Sequence, residues 1–109
     1  MANTFKLKTK ANVGVTTVGI YTAPDSTTTV VIGITMANTS GSGVNVGVGI
    51  TRAGTTEDVK LLKNAPIPSG SSLEFMSGNK IVLEETDTVT VDSDTNNSVD
   101  ASLTIMEIT

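Results

Sequence analysis

Few residues of this chain could do chemistry, and the most suggestive group is an acidic loop near the C-terminus. Residues 92–96, Asp-Ser-Asp-Thr-Asn, match the opening of a calcium loop, whose oxygen ligands alternate along the chain. The match then ends, because Asn97 stands where the turn glycine belongs and Leu103 where the bidentate glutamate belongs. The alternative is a hairpin loop whose polar side chains cap its own backbone. A weak candidate cation site remains at Asp92, Asp94 and Asp100.

Glycines form the second group. A phosphate-binding loop is excluded, because the cluster between Gly41 and Gly49 lacks a G-K-[ST] ending and a following helix. Glycine inside a strand often marks a close approach by another backbone. Gly33, Gly47 and Gly49 alternate with apolar residues in two consecutive predicted strands. If those strands pair, their outer face is small and flat, which suits an interaction with another subunit, and the alternative is that they are tolerated surface glycines.

Catalysis has no support in the residue types. The chain has no His and no Cys, which removes the usual general base, the thiol nucleophile and the commonest metal ligands. The adjacent Glu84 and Glu85 point to opposite faces of a strand and cannot act as a carboxylate pair. We therefore expect no enzyme, no catalytic residue and no cofactor.

Charge limits the partners. The net charge is −4 and the pI is near 4.5, so bulk nucleic-acid binding is not expected. All 7 basic residues lie in residues 1–83, whereas residues 84–109 hold 7 acids and no base. A basic first strand and an acidic last third could pair within one domain or between neighbouring copies. The basic candidates for contact with an acidic partner are Lys6, Lys8 and Lys10.

The N-terminal residues do not resemble a targeting signal. No apolar stretch follows the early lysines, and the longest apolar run, residues 30–34, is far too short to cross a membrane. We expect no secretion signal, no membrane partner and synthesis in a cytoplasm.

The elements that must position these residues are strands. The chain holds 13 Val and 19 Thr, and apolar residues alternate with polar ones along most of its length. Turn signals recur about every ten residues, a spacing typical of antiparallel sandwiches. The Pro-rich residues 65–70 cannot form a central strand. We predict one all-β domain over residues 1–109, an antiparallel β-sandwich of jelly-roll or Ig-like type with about eight or nine short strands.

The same alternation predicts which side chains are buried. In residues 1–10, an N-terminal arm or edge strand, Phe5 and Leu7 should face inward and the lysines outward. The predicted core is Val30, Ile32, Ile34, Val46, Val48, Ile50, Leu61, Leu73, Phe75, Val89, Val91, Leu103 and Ile105.

Several stretches carry a resemblance to a known family. They are Ile20–Pro24, Thr27–Ile34, Ala65–Leu73, Lys80–Val91 and the closing strand Leu103–Ile108. Their order resembles that of small β-sandwich virion proteins of tailed bacteriophages, especially marine cyanophages. Where those proteins often have a glycine before the aspartate, this chain has Thr86 before Asp87. The resemblance covers nearly the whole chain, and its motifs are structural rather than catalytic.

The resemblance implies a non-enzymatic component of the virion, without cofactor or fixed metal. One candidate is a capsid decoration (cement) protein that forms a homo-oligomer and binds the major capsid protein or tail components. The alternative is a tail, neck or fibre accessory protein with a carbohydrate- or receptor-binding role. Sugar-binding platforms normally need exposed aromatic rings, and Tyr21 is the only candidate besides two Phe residues that we assign to the core. The sequence therefore favours the first role.

Overall fold

The chain folds into β-strands joined by short turns. The structure is a computed structural model that describes residues 3–52, 57–75 and 80–109. Within these ranges nine strands and no helix occur. The strands are β1 (Asn3–Val13), β2 (Val18–Thr22), β3 (Thr28–Asn38), β4 (Val44–Thr51), β5 (Asp58–Ile67), β6 (Ser72–Phe75), β7 (Ile81–Leu83), β8 (Thr88–Ser93) and β9 (Val99–Ile108).

Two antiparallel sheets pack face to face. The five-stranded sheet has the order β1-β9-β3-β6, with β7 also paired to β3, and the four-stranded sheet has the order β2-β8-β4-β5. The predicted all-β sandwich is confirmed. As the two prolines required, β5 is an edge strand, and Pro66 lies opposite Asn45 of β4.

The core lies between the sheets, and most of its predicted members are in place. Ile34, the β4 and β8 residues and the β9 residues of the predicted core are buried, and Leu61 and Leu73 pack against them half-buried. The side chain of Phe75 lies outside the described residues. Buried residues that the pattern missed include Val13, Tyr21, Val31, Met36, Val44, Ile67, Leu83 and Val99.

The prediction was wrong for Val30 and Ile32, and a β-bulge is the reason. The pairing of β3 with β9 shifts register between Val31 and Gly33. Because one extra residue reverses the alternation of side chains, Val31 is buried before the bulge and Ile34 after it. Val30 and Ile32 are only half-buried and are not packed against the core.

The first strand is an edge strand, as predicted, but its faces are reversed. Lys6 lies opposite Ile105 and Lys8 opposite Leu103, two fully buried residues of β9, so the lysines share the inner side of the sheet. Phe5 and Leu7 lie on the outer side and are 69% and 65% exposed. The predicted alternation is correct, but the prediction placed Phe5 and Leu7 on the inner side, where the lysines lie.

Thr86 occupies the turn position at which the related stretches often have glycine. Its φ of 65° lies in the left-handed region, which β-branched residues rarely adopt. Its amide donates to the carbonyl of Ala23 at 2.8 Å, so this turn is tied to the end of β2. The turn therefore keeps its left-handed geometry without the glycine.

Candidate interaction surfaces

The acidic loop does not gather its carboxylates around one point. Asp92 Oδ2 accepts a hydrogen bond from Thr17 at 2.9 Å, Asp94 Oδ1 accepts one from the amide of Asn45, and Asp100 Oδ1 accepts one from the amide of Asn12. Among the residues that the structure describes, no group of three or more acidic side chains could hold a metal ion. The three carboxylates therefore accept hydrogen bonds from other strands and turns, and they neither gather around a cation nor cap only the backbone of their own loop.

Calcium should not be needed for folding. Each candidate carboxylate already has a partner in a different strand or turn, so a bound cation would have to break these hydrogen bonds. We expect the thermal midpoints of unfolding to agree in EDTA and in millimolar calcium. A large rise with calcium that Asp94→Ala abolishes would contradict this and restore the cation site.

Glu84 and Glu85 serve separate structural contacts. Arg52 Nη2 donates to Glu84 Oε1 at 2.7 Å, and its Nε lies 3.2 Å from the buried carboxylate of Asp87. Glu85 Oε2 accepts a hydrogen bond from the amide of Ser26 at 2.8 Å. Hydrogen bonding to Asp87 raises the pKa of Arg52 above its ordinary value. The cluster ties the end of β4 to the turn before β8, which is a structural task.

The predicted shared glycine surface does not form, because β3 and β4 belong to different sheets. Gly47 and Gly49 are covered by side chains of their own sheet. A Cβ on Gly47 would lie 2.6 Å from Asp92 Oδ1, and one on Gly49 would lie 3.2 Å from Thr90 Oγ1. Gly33 differs, since a Cβ there would meet nothing within 4 Å. Of these three glycines, only Gly33 is open to a partner.

Substitution of Gly47 should therefore destabilise the fold. Gly47→Ala forces Asp92 away from Thr17 and Lys60 and presses on the carbonyl of Leu62 at 3.3 Å. We expect a loss of about 1–2 kcal/mol in the free energy of unfolding, as for other overpacked sites. The measurement is denaturant unfolding, with Gly33→Ala as the matched control that should change stability by less than about 0.5 kcal/mol. Equal stability of both variants would show that Asp92 moves aside without loss.

The outer side of the five-stranded sheet carries an apolar row that crosses four strands. Phe5 lies opposite Met106, Met106 opposite Val30, and Val30 opposite Val82. Val82 is 60% exposed, and Leu7 extends the row along β1. Large contiguous apolar patches on protein surfaces are typical of interaction sites. We refer to these residues, with Gly33, as the apolar face: Phe5, Leu7, Val30, Val82, Met106.

Next to the apolar face, the same side of the sheet carries mostly small side chains, together with Glu74 opposite Thr35 and Asp100 opposite Ala37. Gly33 lies opposite Thr104, and the row beyond it joins Thr9, Ser102 and Thr35. A shallow depression of about 330 Å³ here is lined by small residues such as Thr9, Ala37 and Ser102 and by the charged Lys10 and Asp100. Small side chains let another surface come close to this sheet.

The outer side of the four-stranded sheet has the opposite character. Its outward residues include Asp58, Lys60 and Asp92, and Lys60 Nζ lies 3.8 Å from Asp92 Oδ2. Such charges are well solvated and oppose burial under a partner. The two outer sides of the sandwich therefore differ, and that of the five-stranded sheet exposes more apolar surface.

A polar network links the two sheets beneath β1. Tyr21 of β2 donates its hydroxyl proton to Glu107 Oε2 of β9 at 2.6 Å, and Thr29 donates to the Tyr21 oxygen at 2.8 Å. Lys6 Nζ lies 2.9 Å from Glu107 Oε1, and Lys8 Nζ lies 5.9 Å from the centre of the Tyr21 ring. Lys6 and Glu107 thus form an ion pair between the basic first strand and the acidic last third within the domain.

The network shifts the pKa values of Glu107 and Tyr21 in opposite directions. The hydrogen bond from Tyr21, followed by that from Lys6, holds the pKa of Glu107 below its ordinary value. Burial and the hydrogen bond to Glu107 raise the pKa of Tyr21 to about 12. Glu107 is therefore charged and Tyr21 neutral at physiological pH. Tyr21 is only 7% exposed, so it offers no ring to a sugar.

Sequence reasoning missed Glu107 and the exposed Phe5. One signal for Glu107 was available, because it continues the inward alternation of Leu103 and Ile105 in β9. An acidic residue at an inward-facing strand position indicates that a hydrogen-bond or ion-pair partner lies inside the fold. No comparable signal existed for Phe5, since an alternating edge strand fits either face equally well.

No helix long and apolar enough to span a bilayer occurs in the described part of the chain. No protein-family model and no curated protein matches the sequence.

Solved structures do match the fold. A Bacillus endospore appendage protein, from disulfide-linked pili, is 17% identical with a TM-score of 0.57, over 99% of this chain and 87% of that one. A capsid protein of a Helicobacter pylori bacteriophage is 11% identical with a TM-score of 0.58, over 100% and 94%. A protein of infectious bursal disease virus is 14% identical with a TM-score of 0.57, and the matched region is 95% of this chain but only 33% of that one.

These likenesses are of fold alone, since the sequences share so little identity. The disulfide links of those pili have no counterpart here, because this chain contains no cysteine. The chain is an antiparallel β-sandwich with the fold found in capsid proteins of viruses and in a bacterial surface appendage.

Proposed function

We propose that the chain is a non-enzymatic structural protein of a bacteriophage virion. Its most specific form is a capsid decoration protein that binds the head surface and stabilises it. The observation that carries the proposal is the apolar face on the five-stranded sheet, next to small uncharged residues and opposite a charged outer side. The fold likeness to a phage capsid protein and the resemblance in sequence both support it.

The apolar face would contact the major capsid protein or a tail component, and copies of the chain would neighbour one another on the particle. Phe5 and Leu7 would lose much of their exposed surface in such a contact. Burial of apolar surface contributes roughly 25 cal/mol per Å², so these two side chains are natural anchors. Gly33 would allow close approach of the partner backbone.

Docking through this face can be tested with one bulky substitution. Gly33→Trp should abolish co-sedimentation with heads purified from the phage that encodes the chain. Its melting temperature should not change, because nothing lies within 4 Å of the substituted position. Gly41→Trp, in the loop after β3 and equally open, is the matched control and should bind as wild type does.

Immunogold labelling of intact virions with antibody to the chain decides where it belongs. Label over the head supports the decoration role. Label on the tail, neck or fibre, together with retention of oligosaccharides on a glycan array, would favour the accessory protein with a carbohydrate-binding role. The burial of Tyr21 leaves Phe5 as the exposed aromatic ring for that role in the described residues.

A further inference from the structure

Strand β1 has an open edge with an unusual distribution of side chains. It is 11 residues long and pairs with β9 on one side only within the described residues. Its other edge therefore presents unpaired backbone amides and carbonyls, which can accept an added strand.

The two sides of β1 favour different side chains in an added strand. On the outer side, Phe5 and Leu7 would lie beside apolar residues of the added strand and extend the apolar face. On the inner side are three lysines against one buried carboxylate, that of Glu107, which pairs with Lys6. The edge thus carries excess positive charge, and an added strand needs acids at alternate positions.

A second copy of this chain does not meet these requirements. Pairing β1 with β1 of another copy, inner sides together, sets lysines opposite lysines, which is destabilising. The other edge strands offer no alternating acids either. Within their described bounds, β5 contains Asp58 and β6 contains Glu74 as the acidic residues, whereas β2 and β7 contain none.

We infer that the open edge of β1 binds an extended segment of a different virion protein, in which acidic residues alternate with apolar ones. The segment continues the five-stranded sheet as an antiparallel or parallel strand beside β1. Its acids face Lys8 and Lys10, and its apolar side chains lie beside Phe5 and Leu7. The inner lysines then both prevent self-association at this edge and select an acidic partner. The nature of the partner rests on the proposed function, whereas the edge site does not.

The probe is a capped eight-residue peptide of alternating glutamate and valine, added to the full chain. Fluorescence anisotropy measures its affinity, and hydrogen exchange reports which amides become protected. We expect protection confined to β1. Affinity should fall by about tenfold or more in a peptide of alternating glutamine and valine, and in a Lys8→Gln, Lys10→Gln double variant, because exposed ion pairs are worth a few-fold each.

Two outcomes would overturn the edge site. One is equal binding of the same peptide with every backbone amide methylated, because such a peptide cannot form the ladder. The other is protection of β5 or β7 in place of β1. Retained melting temperature in the lysine variant excludes loss through misfolding, and Lys6 is left unchanged because it pairs with Glu107.

Particle binding separates this inference from the proposed function. If wild-type protein and the lysine double variant bind heads equally well, the edge of β1 does not bind a head protein, so the assignment of its partner to the head is wrong and the decoration role stands. If wild-type protein does not bind any phage particle but the acidic peptide protects β1, the edge site stands and the proposed function fails.

Discussion

Ile34→Ala should lower the free energy of unfolding by about 2–5 kcal/mol, the largest single effect we expect. Ile34 is 2% exposed in the core between the sheets, so truncation leaves a cavity that the neighbouring strands cannot fill. Denaturant unfolding followed by circular dichroism gives the measurement. Wild type and variant should share the same slope with denaturant, since the change acts on the folded state.

Ile32→Ala is the matched control, two residues away in the same strand. Ile32 lies at the bulge, half-buried and not packed against the core, so its truncation should cost less than about 1 kcal/mol. If Ile32→Ala proved the more costly of the two, the bulge between Val31 and Gly33 would be misplaced.

Glu107→Ala should cost about 1.5–3 kcal/mol, the range for hydrogen bonds to a charged group. The substitution removes the acceptor of the Tyr21 hydroxyl proton and the partner of Lys6, on an inner face where water cannot fully replace them. Thermal or denaturant unfolding at neutral pH measures the loss.

The Glu107 contribution should depend on pH in a defined direction. Folding lowers the pKa of Glu107 from its ordinary value of 4.5, so its charge stabilises the fold fully above that value. The contribution is lost as the pH falls through the lower folded pKa. Glu107→Gln keeps the shape but not the charge, so its stability deficit should shrink as the pH is lowered from 5 toward 2. A deficit that stays constant would mean that the charge contributes nothing.

At alkaline pH the same network should weaken because Tyr21 loses its hydroxyl proton. Folding raises the pKa of Tyr21 from 10.0 to about 12, so the neutral phenol stabilises the fold fully below pH 10. That contribution is lost as the pH rises toward 12, when the proton donated to Glu107 is removed.

The sequence by itself determined the class of fold. Alternation in β4, β8 and β9 identified their buried faces correctly, because both faces of each strand differ clearly in polarity. The prolines near residue 66 correctly excluded a central strand, since a proline cannot donate to a ladder. Alternation and proline positions are local properties of the chain, so the sequence alone is enough to predict their effects.

Only the tertiary structure decided which side chains are exposed. The bulge in β3 reverses the alternation of side chains, so Val30, before it, lies on the outer side although Ile34, after it, is buried. The separation of β3 and β4 into two sheets divided the glycines that the sequence had grouped together. In β1 the alternation was equally compatible with either orientation.

The orientation of β1 depends on residues outside the strand, one of which lies near the other end of the chain. Glu107 and Tyr21 place a carboxylate and a ring on the inner side, where they receive Lys6 and Lys8, and this leaves Phe5 and Leu7 exposed. A period of two specifies that a strand has two different faces, but only the partners across the sandwich determine which face turns inward.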